Sequence, residues 1–371
     1  MTRFGKHTNI SLEDLIYDAY QHMIKNSSEH GFKLDIDAVF VGSMNVDEFT
    51  GEGNLGSVVV DKLDLVPLPA VRVETASATG SGVFQTAALG VSSGIYNNVL
   101  IIACEKMTDL PTSRTTSILA KVLSPLERAH GATMPALSAL VTRRYMKDHN
   151  LSLEDLAKVA VKSHYNGSLN PFAHFQKEVS LETIMESRII ASPLRIYDCS
   201  PISDGAAALV LTSRKTDVKV TGIGQGTDHL SLQTRSSLTS FGATRTAAKK
   251  AFEMAGRSPP EIDIAEVHDA FTPFEIIGTE DLGFFDAGEG GQAVIDGRTD
   301  LNGDIPINTS GGHKARGHPV GASGLAQVIE IVWQLRGECE KRQVDNVKIG
   351  LTQNIGGFAS NNFVNILEVF Q

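Results

Sequence analysis

The chain has 371 residues, of which 42% are hydrophobic and 20% charged, a balance that suits a soluble globular protein of two or three domains. A formal net charge of −10 without a basic stripe excludes a nucleic-acid-binding role, and no apolar run is long enough to span a bilayer. Cys104, Cys199 and Cys339 lie far apart in no metal-ligand spacing, which points to a reducing, cytoplasmic setting rather than a disulfide framework.

Met1–Thr8 reads as loop, and Ser11-Leu-Glu-Asp caps a helix expected over 12–25. A parallel α/β domain usually opens with a strand, so a first strand is expected upstream of, or missing from, this sequence. Lys33–Gly42 and Val71–Thr75 follow as strands. The small-residue turn Glu74–Gly82 then leads into an apolar helix, Ser81–Ser93, and the strand Asn97–Lys106. The same grammar recurs later. A helix at Thr244–Ala255 precedes the strand Glu261–Ala270, and a glycine-rich turn feeds the helix Ala322–Arg336 and the strand Asp345–Asn354. Two such copies predict a duplicated α/β domain with parallel sheets and its two small-residue helices packed in the middle.

Between the copies, 112–192 holds a helix near Met134–Asp148, a capped helix from Ser152 and the polar run His164–Pro171; Gly205–Thr212 then returns to the first sheet. The expected domains are a first half at 1–111 and 193–232, an insertion at 112–192 that lines the ligand site, and a second half at 233–371. Arg143-Arg144 and Lys249-Lys250 read as solvated helix faces rather than phosphate sites.

The segment Gly312-His-Lys-Ala-Arg-Gly-His318-Pro-Val-Gly-Ala-Ser-Gly324 carries two histidines in a glycine-rich loop. His318 is the expected base, and His313 is a second candidate. Its partner would sit at Ser77, between strand and helix, where backbone N–H groups favour a nucleophile. A lone serine there is otherwise a helix N-cap. His268, in Val267-His-Asp-Ala-Phe271, ends a strand and suits an oxyanion hole. Gly356 and Gly357, in Gln353-Asn-Ile-Gly-Gly357, would expose backbone amides in a closing loop. The three histidines lack carboxylate or thiol company at ligand spacing, so no metal is expected.

These motifs, with Cys104-Glu-Lys-Met-Thr-Asp109, Gly131-Ala-Thr-Met-Pro-Ala136 and Tyr197-Asp-Cys-Ser-Pro-Ile-Ser-Asp-Gly-Ala-Ala-Ala208, resemble the thiolase superfamily, in its sterol-carrier-protein-2-like and archaeal acetyl-CoA acetyltransferase branch. The resemblance runs over essentially the whole chain. It implies a five-layered α-β-α-β-α fold, a homodimer or homotetramer, and Claisen condensation of acyl-CoA or thiolysis of a 3-ketoacyl-CoA, as in lipid or mevalonate metabolism. It implies coenzyme A as substrate and no permanent cofactor. It also suggests a zinc-ribbon/OB-fold companion and a hydroxymethylglutaryl-CoA synthase as partners. By the family pattern His318 activates the nucleophile and His268 holds the enolate.

The sequence departs from that pattern at two positions. Ser77 stands where the family has its nucleophilic cysteine, and neither Ala270 nor the 353–357 loop supplies the second thiol. Three readings of Ser77 stay open: a substitution that disables a thiolase, a serine that carries the acyl group itself, or a site that has left thiolysis. The alternatives are a thiolase-like retro-aldolase acting on acyl-CoA, or a non-catalytic CoA-binding or scaffold subunit. His164, Asn166 and Ser203 are the expected contacts to coenzyme A along the insertion; Met134, Phe172 and Phe175 are candidates to limit the acyl chain.

Overall fold

The computed structural model describes residues 1–370. Ten strands occur in order: β1 Ala38–Gly42, β2 Ala70–Val73, β3 Asn98–Glu105, β4 Ile189–Ala191, β5 Leu194–Arg195, β6 Gly205–Thr212, β7 Val218–Thr227, β8 Ile264–Glu266, β9 Ile349–Gly356 and β10 Asn361–Val369. Two four-stranded sheets result, β2-β1-β3-β6 and β7-β10-β9-β8, with β4-β5 as a separate hairpin.

Burial dictates the layering. β1 and β3 are buried along their whole length, as strands covered on both faces must be. On one side of the first sheet, Leu12–Glu29 packs Leu15, Ile16 and Ala19 against Val39, Leu100 and Ile102. On the other lie the helices Thr79–Ser92 and Ser323–Arg336, whose Val83, Phe84, Leu325 and Val328 fill the core between the sheets. The helix Gly242–Ala255 covers the far face of the second sheet through Ala247, Ala251 and Phe252. The fold is therefore five-layered, α-β-α-β-α, built from two like halves. The central helices meet closely. A Cβ on Gly80 would lie 2.4 Å from the Leu325 nitrogen, so only glycine allows the two helix starts to touch.

The sheets are mixed rather than parallel. β1 pairs in parallel with β2 and β3, and β8 with β9, through helical crossovers; β6 and β10 return antiparallel to β3 and β9. The expected half boundary at 232 falls after β7, which pairs with β10 in the second sheet, so the second half begins by Val218. The boundary at 192/193 likewise splits the β4–β5 hairpin.

In the second sheet β10 is flanked by both β9 and β7. Its counterpart β6 has β3 on one side only. On the other side Met1–Gly5 covers just its start, through Thr2 N–H to Ala206 O at 2.9 Å and a bridge between Gly5 and Asp204. No strand among the described residues takes the place in the first sheet that β7 holds in the second. Among the described residues, no helix is long and apolar enough to cross a membrane.

Candidate active site

Ser77 lies in the elbow between β2 and the helix Thr79–Ser92. Thr79 does the local capping: its Oγ1 accepts from Thr75 N–H at 2.9 Å and donates to Ala76 O at 2.6 Å. Ser77 is therefore not an N-cap. Ala76, just before it, takes φ +54°, a left-handed conformation that costs a non-glycine residue on the order of 1 kcal/mol or more. The elbow turns the Ser77 side chain across the seam of the halves, where Oγ donates to Ile355 O at 2.9 Å. Gln353–Gly356 belongs to β9 rather than to a loop; only Gly357, at φ +62°, lies past it and reaches the cavity.

His318 follows Gly317, whose φ of +104° only glycine adopts readily. Its Nδ1 is 2.8 Å from Ser323 Oγ, and that hydroxyl donates its single hydrogen to Pro319 O at 2.9 Å. Nδ1 must then carry the proton, which leaves Nε2 as the basic nitrogen. Burial, with the Arg316 charge adding to it, lowers the His318 pKa to about 3, so the ring is neutral and Nε2 is unprotonated.

His268 stands two residues beyond β8, its N–H fixed by Gln353 Oε1 at 2.8 Å. Asn354 Nδ2 lies 3.1 Å from its Nδ1 while also donating to Gln327 Oε1 at 3.0 Å. His313 Nε2 lies 3.0 Å from the same Nδ1, and Arg316 Nη2 lies 3.3 Å from His313 Nδ1. Arginine only donates, so the order is set: Arg316 to His313, His313 to His268, and His268 Nε2–H left to point outward. Both rings are held far toward the neutral form, first by desolvation and then by neighbouring cationic groups. One histidine thus offers a base and its neighbour a donor.

The three rings bring their nitrogens within 4.8 Å of one another, a spacing that a metal ion could bridge and that sequence spacing gave no hint of. His313 Nε2 and His268 Nδ1 already serve the hydrogen bond between them.

A cavity of about 750 Å³ opens in front of these groups, lined by Ser77, His268, His318, Lys314 and Gly357 at one end. Met134, Phe175, Phe271 and Phe274 supply apolar walls, and the exposed Lys177 and Arg188 of the insertion also line it. His313 lies behind His268 and does not line it. His164 does line it; Asn166 and Ser203 stand behind the wall. Asn166 donates to Asn308 O at 3.1 Å, and Ser203 Oγ accepts from His318 N–H at 3.2 Å. Phe172 stacks on Trp333 away from the cavity, whereas Met134 and Phe175 reach it. The polar run that begins at His164 starts within the helix Leu153–Ser168 and continues past its end. Arg144 and Lys249 pair with Asp148 and Glu253 on exposed helix faces.

Sequence reasoning missed Arg316, Asn354 and Lys314. The signal for the first and last was present: His-Lys-Ala-Arg places three ionisable groups in four residues between glycines, where the chain is wholly buried.

Comparison with known proteins bears on what such a site is. Residues 1–215 match the family model "Thiolase, N-terminal domain", and residues 224–369 match "Thiolase C-terminal domain-like". The chain belongs to the thiolase family. An acetyl-CoA acetyltransferase of Methanothermobacter thermautotrophicus is 42% identical over 99% of this chain and 97% of its own length. Bovine sterol carrier protein 2 is 32% identical over 86% of this chain, which spans 62% of that protein. Among solved structures, an Ltp2–ChsH2(DUF35) aldolase matches with a TM-score of 0.82 and 25% identity, over 99% of this chain and 95% of its own. This thiolase is an enzyme of the acyltransferase type, and its two matched domains correspond to the two halves of the fold.

Proposed function

We propose that the cavity binds acyl-CoA and that the chain performs thiolase chemistry, condensing two acyl-CoA molecules or cleaving a 3-ketoacyl-CoA with coenzyme A. The observation that carries this is the opposed pair of tautomers, His318 with a basic Nε2 and His268 with Nε2–H outward, on one cavity with Ser77. In the cleavage direction, His318 takes the proton of the group at 77 as that group attacks the ketone carbon. The bond between the α and β carbons breaks, and its electron pair forms the enolate of acetyl-CoA, whose oxygen accepts from His268. The enolate carbon then takes the proton that His318 removed, which frees Nε2 to take the thiol proton as the acyl group passes from residue 77 to the sulfur of coenzyme A.

Ser77 limits the rate in this scheme. Its hydroxyl hydrogen points at Ile355 O instead of His318, and an alkoxide is far harder to form than a thiolate. Lys177 and Arg188 suit the phosphates of coenzyme A, with His164 further along the same lining; a crystal grown with acetyl-CoA that shows no density along the insertion would count against this. A homodimer or homotetramer in the cytoplasm accompanies this reading, on the strength of the family resemblance alone.

The deciding experiment is CoA-dependent cleavage of acetoacetyl-CoA by this chain and by Ser77→Cys. Turnover by the cysteine form alone makes the chain a thiolase with its nucleophile replaced; turnover by both makes Ser77 the acyl carrier. Failure of both sinks the thiolase reading. A second reading, retro-aldol cleavage of a β-hydroxyacyl-CoA, is favoured by the missing thiol and by the likeness to the Ltp2–ChsH2 aldolase. Its test is release of a shorter acyl-CoA from such a thioester with no free coenzyme A present, alone and with a DUF35-type companion.

A further inference from the structure

Five cationic side chains are buried among the described residues: Lys106, Lys162, Lys314, Arg316 and Arg342. Four have a carboxylate partner, Lys106 with Asp204 and Asp109, Lys162 with Glu275, Arg316 with Glu266, and Arg342 with Glu330, each at 3.3 Å or less. Lys314 has none. It is 1% exposed, and its Nζ makes one hydrogen bond, to Asp198 O at 2.8 Å. The carboxylates of Asp269, Asp198 and Glu275 act on it from outside ion-pair distance, and all but Asp269 Oδ2 have hydrogen-bond partners of their own. Asp269 accepts from His313 N–H, Asp198 from Thr272 and Arg195, and Glu275 from Lys162 and Asn308.

Lys314 is also the one of these five that lines the cavity. Beside it on the wall are Cys199 and His164, the latter 3% exposed with an Nδ1 that has no hydrogen-bond partner. A buried ammonium with two unused N–H groups is costly unless an anion meets it. Apolar side chains, among them Met134, Phe271 and Phe274, supply much of the remaining lining.

We propose that Lys314 marks a subsite for an anionic group on the acyl chain, so that the substrates include acyl-CoA thioesters bearing a carboxylate. This rests on the reading of the cavity as an acyl-CoA site. The ammonium would take the carboxylate through its free N–H groups, with His164 as a further polar contact. The phosphates of coenzyme A do not compete for it, because Lys177 and Arg188 lie on the exposed part of the lining and Lys314 at the end that holds Ser77 and the histidines.

The test is equilibrium binding, independent of turnover: succinyl-CoA and glutaryl-CoA against butyryl-CoA and pentanoyl-CoA, on the unmodified chain and on Lys314→Met. The unmodified chain is expected to prefer the anionic member of each pair by about tenfold or more. Lys314→Met is expected to lose that preference and keep its affinity for the neutral thioesters within about twofold. Equal binding of the pairs by the unmodified chain overturns the subsite whether or not the variant folds. So does a variant that weakens all four thioesters alike, which would assign Lys314 to the thioester oxygen or to the fold. Absence of binding by every thioester overturns the acyl-CoA reading itself.

Discussion

Ser77 and Ile355 meet across the seam of the two halves, the hydroxyl of one donating to the carbonyl of the other at 2.9 Å. The nucleophile position of the first half is thereby tied to the end of β9 in the second. Ser77→Ala leaves that buried carbonyl without its partner and is expected to cost about 1–3 kcal/mol in urea unfolding. A variant as stable as the parent would mean that the bond is not held in solution.

The order of donors from Arg316 through His313 to His268 makes His313 a positioning residue. In a Ser77→Cys background, His313→Leu should lower kcat about 10- to 100-fold with KM within about twofold, because the His268 tautomer is no longer fixed. Equal losses in kcat and binding would point instead to a collapsed cavity.

Arg316 is fully buried against Glu266, whose own pKa burial raises to about 7. Arg316→Met strands that carboxylate, and about 3–5 kcal/mol of stability should go with it. A double variant, Arg316→Met with Glu266→Gln, is expected to recover part of the loss in the same denaturation experiment.

Gly80→Ala tests the close approach of the central helices. The added methyl would sit 2.4 Å from the Leu325 nitrogen, against backbone that cannot rotate away. A destabilisation of at least about 1–3 kcal/mol is expected, seen as a lower midpoint of thermal unfolding.

The His318 ring sets a pH dependence. Its folded pKa, about 3, lies below the ordinary histidine value near 6.5. Between those values the unfolded chain binds a proton that the folded chain refuses, so this group's contribution to stability falls as pH falls from about 6.5 toward 3. Asp269 acts in the opposite sense: burial raises its carboxyl to about 6, and its contribution is lost as pH rises through that value. Comparing the chain with His318→Gln at pH 7, 5 and 4 isolates the histidine. The parent should lose ground to the variant by up to about 1.4 kcal/mol per unit below pH 6.5.

Much of this was legible in the sequence because it is written locally. The repeat of helix, strand and glycine-rich turn disclosed the halves, and the Gly-His-Pro and His-Asp-Ala-Phe motifs disclosed two of the histidines that line the cavity. What was not legible depends on contacts between distant segments. Asn166 and Ser203 looked like ligand contacts because they sit in polar runs, yet each turns inward to support another residue. The antiparallel return of β10 between β9 and β7 is a pairing choice that strand patterns alone do not encode. That Lys314 is unpaired emerges only when every other buried cation has been seen with its anion.

The central helices have a consequence for how the protein comes apart. Gly80 and Gly324 bring the two helix starts together with no side chain between them, inside a core to which both halves contribute. Elements packed backbone to backbone cannot part without opening that shared core, so the halves are expected to unfold as one unit rather than in turn. Calorimetric and van't Hoff enthalpies should then agree.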